Sequence, residues 1–286
     1  MRDRILELMA AKSELPTLPE IVIKLQKMVR DPSVNVKNIA KLIEVDPVLA
    51  GKILKLANSV YYSRSTTPIK TLPVAITKIG LNMLVKLVYS LKLCTMFSHN
   101  KVLERDQFWT HSLAVAIFTQ SITNHIKFSR EEIDIAYLAG LMHDIGIIVF
   151  IYLIPDEYQN FLLEKKEDEE PIEVYESQTF GIDHAELGSR FIETWWGVDE
   201  RISMAVRFHH SPFIGEQSER TYEQIVHVSN GICNIQGITS GTGFKNEVFK
   251  EGAWGALGLS LNEVDTIIQG VNDSLEQARE LISFGS

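Results

Sequence analysis

The sequence predicts an all-α protein, a multi-helical bundle in two packed lobes. Three observations predict it. Apolar residues recur at helical spacing from Glu20 to Ile282. No stretch sustains period-two alternation. The breaks between apolar runs carry helix punctuation: Asp-Pro pairs, Ser-x-x-Glu pairs and single glycines. The 286 residues, 45% apolar and 23% charged, suit one large globular domain or two ordinary ones. They exclude a wholly disordered chain, a collagen and a disulfide scaffold.

Taken in order, Ser13–Pro19 reads as an extended start. Pro19 then opens EIVIKLQKMVR, which Asp31-Pro32 ends. NVKNIAKLIEV and DPVLAGKILKLANS follow as short helices, the second with Asp46 as N-cap and Pro47 at its first position. KTLPVAITKIG closes at Gly80, and residues 81–97 form a long apolar-rich helix. Phe108–His125 is helical, and Ser129 with Glu132 forms a capping box for a helix running to Asp144. Asp156–Lys166, His184–Trp196 behind Asp183, Asp199–His210 and Thr221–Ile235 continue the series. GITSGTG at 237–243 reads as a loop, and Ser260 with Glu263 opens the last helix.

Residues 135–154, IAYLAGLMHDIGIIVFIYLI, are long and apolar enough to cross a bilayer. His143 and Asp144 in the middle oppose insertion, since a central Asp costs roughly 2.5–3.5 kcal/mol. The expectation is two buried helices with a turn at Ile145-Gly146 and no membrane partner. An ionisable pair in such surroundings must be paired or bound to metal.

The net charge of -9 is uneven. Residues 1–104 hold 16 Lys and Arg against 8 Asp and Glu, a net of +8; residues 105–286 hold 12 against 29, a net of -17. This predicts an N-terminal lobe over 1–104 and a second over 105–286, joined at SHNKVLERD and closely packed. The basic half either meets an acidic partner such as nucleic acid or is a set of solvated faces; without interleaved aromatics the second reading is the stronger. The charged start MRDRILELMAAK has no long apolar stretch, so no secretory signal is expected. Cys94 and Cys233, the two cysteines, read as buried small hydrophobes in a cytoplasmic protein.

All eight histidines lie between 99 and 227. His111, His143-Asp144, His184 and His209-His210 each fall on or at the end of a different predicted helix. Neutral imidazoles and a carboxylate converging from several helices are the ingredients of a metal site in a bundle. A shared Asp can bridge two ions, and two ions a few ångströms apart can activate water and clamp a phosphate ester. Asp144 is then the candidate catalytic residue. Five imidazoles and one carboxylate suit one or two divalent transition metals, Fe, Mn, Zn, Co or Ni, better than Mg. His99 and His125 read as surface residues. His227 shares a helix face with Asn230 and is a weaker candidate.

This order of residues resembles the HD superfamily of metal-dependent phosphohydrolases, and the extra histidines resemble the HD-GYP cyclic-di-GMP phosphodiesterases. The closest resemblance is to the HDOD family, the HD-related output domain, over roughly residues 13–285. It is carried by LPTLPEIVIKLQKMVRDP, IAKLIEVDPVLAGKILKLANS, Ile76–Gly80 and IVHVSN. It implies an HD-like core in which His111, His143 and Asp144 are core ligands. His184, His209 and His210 then serve a second metal, with Asn230 as a weak ligand where the family pattern has a late Asp. Asp46 and Asn58 read as structural corners. Three departures bear on activity. Ile147 stands where the phosphodiesterases carry Lys, SPFIGEQSE replaces their Gly-Tyr-Pro segment, and Asn230 removes a charge.

These features imply a bacterial signalling or regulatory output module with an HD-type metal site, non-catalytic or weakly active, working with a signalling protein partner. A metal-dependent phosphohydrolase acting on a nucleotide or cyclic dinucleotide is the alternative. Binding of nucleic acid or a partner protein through the basic half is the third reading.

Overall fold

The computed structural model describes residues 1–11, 17–59, 68–96, 103–164, 170–212, 221–244 and 253–283. The regular elements among the described residues are helices, with no strand among them. The expected extended start at 13–16, His99, most of the 98–106 boundary, residues 165–169 and the segment after Pro212 lie outside them.

The chain divides into two compact units: Met1–Thr17 with His99–Leu275, and Leu18–Ser98 with Glu276–Ser286. This differs from a single cut at 104. The first helix, α1 (Arg2–Ala11), groups with the later residues. Arg2 donates to both carboxylate oxygens of Glu186 at 2.6 and 3.0 Å and to the Gly181 carbonyl, while Ile5 is fully buried. A charged, amphipathic start says that it will dock but not where.

The smaller unit contains α2 (Glu20–Val29), α3 (Val36–Glu44), α4 (Pro47–Ala57), α5 (Leu72–Ile79) and α6 (Leu81–Met96). Its core is Leu25, Ile39, Ile43, Ile53, Ile76 and Val88. Asp46 caps α4 by accepting from the Leu49 N–H at 2.9 Å and pairs with Lys92. Asn58 donates to the carbonyls of Leu54 and Ile69 and accepts from the Ile69 N–H, so one side chain fastens both ends of the 58–69 excursion. The expected corners are therefore observed. Gly80, at φ +86°, lets α6 leave α5 at an angle of 105°.

The larger unit is built on α7 (Arg105–His125), α8 (Arg130–Met142), α9 (Ile145–Leu153), α10 (Pro155–Glu164), α11 (Ile172–Phe180), α12 (His184–Phe191), α13 (Glu200–Phe208) and α14 (Tyr222–Ile235). After a short α15 (Ala253–Ala256), α16 spans Leu261–Ser283. The capping box at Ser129 and Glu132 is formed, and Thr221 with Gln224 forms another. The apolar run through α8 and α9 is core, 89% buried over its most apolar window.

Three local expectations differ from the structure. The turn in the apolar run falls at His143-Asp144, and Gly146 lies inside the first turn of α9. A Cβ on Gly146 would stand 1.9 Å from the His184 carbonyl oxygen, so this glycine permits close approach of α12 and does not stop a helix. The expected His184–Trp196 helix changes at Ile192 to a π-helical turn, which Gly197 ends at φ +54°. Helix α11 was not expected; its IEVYESQTF has no clear apolar stripe.

Candidate metal centre

Five places in the larger unit deliver the predicted residues to one point. His111 comes from the middle of α7, His143 ends α8, and Asp144 stands at the N-cap of α9. His184 is the first residue of α12, while His209 and His210 follow α13. Asp144 makes no capping hydrogen bond; its carboxylate faces the imidazoles instead. Oδ1 lies 3.2 Å from His143 Nε2, 3.4 Å from His184 Nε2 and 3.6 Å from His209 Nε2, and Oδ2 lies 3.6 Å from His111 Nε2. Close helix packing makes this possible. Gly146 and Gly188 bring α9 against α12, and Gly140 brings α8 against α7, where a Cβ would meet Thr119 at 2.9 Å.

The outer ring nitrogens are already committed. Nδ1 of His111 meets the Ile238 carbonyl at 2.8 Å, that of His143 the Gly140 carbonyl at 2.9 Å, and that of His209 the Val206 carbonyl at 2.7 Å. His184 Nδ1 meets the Glu176 carboxylate at 2.6 Å. Each Nδ1 therefore carries the hydrogen and directs the Nε2 lone pair inward, the usual second-shell arrangement of metal-binding histidine. His209 Nε2 is buried with no hydrogen-bond partner, and Nε2 of His111 and His143 face each other at 3.3 Å. Inward-facing bases lack donors and fit a cation. Two overlapping sets could each hold an ion, Asp144 with His184, His209 and His210, and Asp144 with His111 and His143. The residues thus fit a divalent metal.

The electrostatics agree. Burial, assisted by the neighbouring His143, pushes His111 down to about 4. Burial and His210 push His209 down to about 3, and burial with His184 lowers His210. Burial opposes ionisation of Asp144, yet His143 and the hydrogen bonds of its neighbours hold it well below the usual carboxylate range. Burial likewise opposes charge on His184, but Glu176 and Asp144 outweigh it and raise its pKa. A proton on His184 balances two buried carboxylates without metal; a divalent ion supplies that positive charge instead.

Some functional residues gave no sequence signal. Glu176, fully buried on α11, accepts from the Tyr158 hydroxyl at 2.5 Å and from both the backbone N–H and Nδ1 of His184. Nothing in its local pattern marks it. His227 serves His209 indirectly, its Nδ1 meeting the His209 carbonyl at 2.8 Å. Asn230 is buried beside the centre, lines the same cleft as His111 and accepts from Asn234 Nδ2 at 3.3 Å. A small cleft opens over Asp144, with Ile147, Glu173, Asn230 and Asn234 in its walls.

A family profile described as the HDOD domain matches residues 15–212. The chain belongs to the HDOD family. Its fold is shared with an HDOD domain protein of unknown function from Geobacter sulfurreducens (TM-score 0.79, 24% identity, 99% of this chain and 97% of that one). A protein from Marinobacter aquaeolei VT8, provisionally named for signal transduction, is also similar (TM-score 0.72, 19% identity, 99% of this chain and 65% of that one). An uncharacterized protein of Treponema pallidum is 26% identical over 200 residues, 69% of this chain. The match spans 38% of that curated relative's length.

Proposed function

We propose that this HDOD chain is a metal-centred signalling module. In this reading His111, His143, Asp144, His184, His209 and His210 hold one or two divalent transition ions, and the loaded centre captures a phosphate-bearing ligand. The observation that carries it is the commitment of four Nδ1 atoms to fixed acceptors, which leaves four inward Nε2 atoms around one carboxylate. Ile147 lines the cleft where a lysine would have gripped phosphate, which supports capture with little or no turnover. A signalling protein partner would then read the liganded state. A cytoplasmic location belongs to the proposal, supported by two buried free cysteines, Cys94 and Cys233.

The test is metal analysis of protein purified without chelator or a histidine tag, beside Asp144→Ala. Bound Fe, Mn, Zn, Co or Ni in the wild type and none in the variant is the expected result. Equal metal in both, or none in either, would overturn the assignment.

One observation favours a second reading, slow phosphoester hydrolysis: Asp144 belongs to both donor sets, with Oδ2 toward His111 and Oδ1 toward His143, His184 and His209. Bound ions would supply Lewis acidity there. Asp144 would hold them together, and the Asn230 and Asn234 amides would orient the ester. Turnover of a nucleotide or cyclic dinucleotide with Mn, Fe, Co or Zn, lost in Asp144→Ala, would establish it; none across that panel would exclude it.

A further inference from the structure

The cleft over Asp144 is lined by two hydroxyls, Ser240 and Thr242, from the glycine-rich loop Gly237–Phe244. Gly237, Gly241 and Gly243 in that loop all have positive φ. Two side chains one turn apart on α7 pin it: His111 meets the Ile238 carbonyl, and Gln107 Nε2 donates to Thr239 Oγ1 at 2.9 Å. Gly241 packs directly on Gln107, where a Cβ would stand 3.1 Å from Oε1. One pin is therefore a candidate metal ligand and ties the loop to the centre. Among the described residues, no acceptor meets the backbone N–H of Thr239, Ser240, Gly241, Thr242 or Gly243. Ser240 Oγ and Thr242 Oγ1 lie 3.4 Å apart in the cleft wall, so the loop brings two hydroxyls and amides without acceptors to one place, where anionic oxygen can be bound.

The rest of the lining narrows the ligand. No Lys or Arg lines the cleft, and Glu173 and Asp144 are its acidic members. An anion entering there depends on neutral donors and on the metal. The enclosed space is small, about 30 Å³ against the roughly 300–1,000 Å³ typical of ligand pockets. That favours a single terminal phosphate on a small organic group over a molecule with two bases. Ile147 and Ile172 offer that group an apolar surface, and Glu173 an acceptor for its hydroxyls.

The geometry points to Gly237–Phe244 as an oxyanion cradle that binds the terminal phosphate of a small phosphomonoester. Ser240, Thr242 and the loop amides stand in for the missing lysine. This rests on the metal-centred reading for the ligand's other contacts, but the loop is tested separately.

The experiment is calorimetric titration of the 286-residue chain with inorganic phosphate, with metal content measured on the same samples. The variants are the Ser240→Ala, Thr242→Val double change and Gln107→Leu, which releases a pin without removing a donor from the cleft. The double variant should bind phosphate about tenfold or more weakly at unchanged metal content, since hydrogen bonds to charged groups are the stronger class. Gln107→Leu should show a smaller loss. Adenosine monophosphate should displace phosphate, and a cyclic dinucleotide should not. Equal phosphate affinity in wild type and double variant at equal metal content would overturn the cradle. Displacement by the cyclic dinucleotide would overturn the terminal-phosphate assignment. A wild type without metal whose phosphate binding still falls in the double variant would sink the metal reading and keep the loop.

Discussion

Asp46 and Asp144 each stand at the N-cap of an apolar helix, Asp46 in the smaller unit and Asp144 in the larger. Asp46 behaves as capping chemistry dictates: it accepts from the Leu49 amide, which the first turn of α4 would otherwise leave orphaned, and it pairs with Lys92. Asp144 forgoes the cap and turns its carboxylate to four imidazoles. Polar residues of the smaller unit thus close local backbone, whereas those of the larger unit converge on one point. A capping residue that does not cap marks a site whose charge is needed elsewhere.

Substituting the two aspartates gives the largest contrast. Asp144→Ala should abolish metal binding, as read by elemental analysis, while Asp46→Ala should cost about 1 kcal/mol in a denaturant titration and leave metal content unchanged. Metal loss in both would break the comparison. Two glycines sharpen it next. Gly146→Ala should cost about 3 kcal/mol and lower metal content, because its Cβ would collide with the His184 carbonyl. Gly51→Ala, inside α4 with nothing within 4 Å of its Cβ, should stabilise by about 0.5–1 kcal/mol. Glu176→Gln should weaken metal binding about 10- to 100-fold in a chelator competition while the chain still folds, since its carboxylate orients the His184 ring.

Acid should separate the units by a smaller margin. In chelator-stripped protein, His111 and His209 titrate at about 4 and about 3, whereas unfolded histidine takes its proton near ~6.5. The unfolded chain binds more protons between those values, so their contribution is whole above ~6.5 and is lost as pH falls toward 4 and 3. Residues 18–98 contain no histidine. Asp46, held low by its cap and Lys92 against the cost of burial, contributes above the ordinary carboxylate value near ~3.9 and loses that only below it. All four tryptophans lie outside residues 18–98, so their fluorescence reports the larger unit. It should change at higher pH than the helical circular dichroism signal as a whole; coincident transitions would count against this difference.

Much of this was legible in the residues. Asp46-Pro47, Ser129 with Glu132, and Gly80 mark helix ends because capping joins groups a few positions apart. The His111, His143-Asp144, His184 and His209-His210 order suggested one centre, and the structure brings all six residues together. Asn230 arrives beside His111. His227 proves to be a support for the His209 backbone. Glu176 was invisible because an acid in a mixed helix resembles any solvated one until a fold buries it.

The sequence by itself therefore determined most of the helices and caps and the identities of the six candidate metal ligands, since short-range hydrogen bonding and apolar spacing decide those. Tertiary structure decided which nitrogen of each histidine faces inward, that Glu176 orients His184, and that Ser240 and Thr242 share a cleft with Asp144. The reason is close approach between helices distant in the chain: Gly146 against His184 and Gly140 against Thr119 set those distances, and no run of neighbouring residues encodes them.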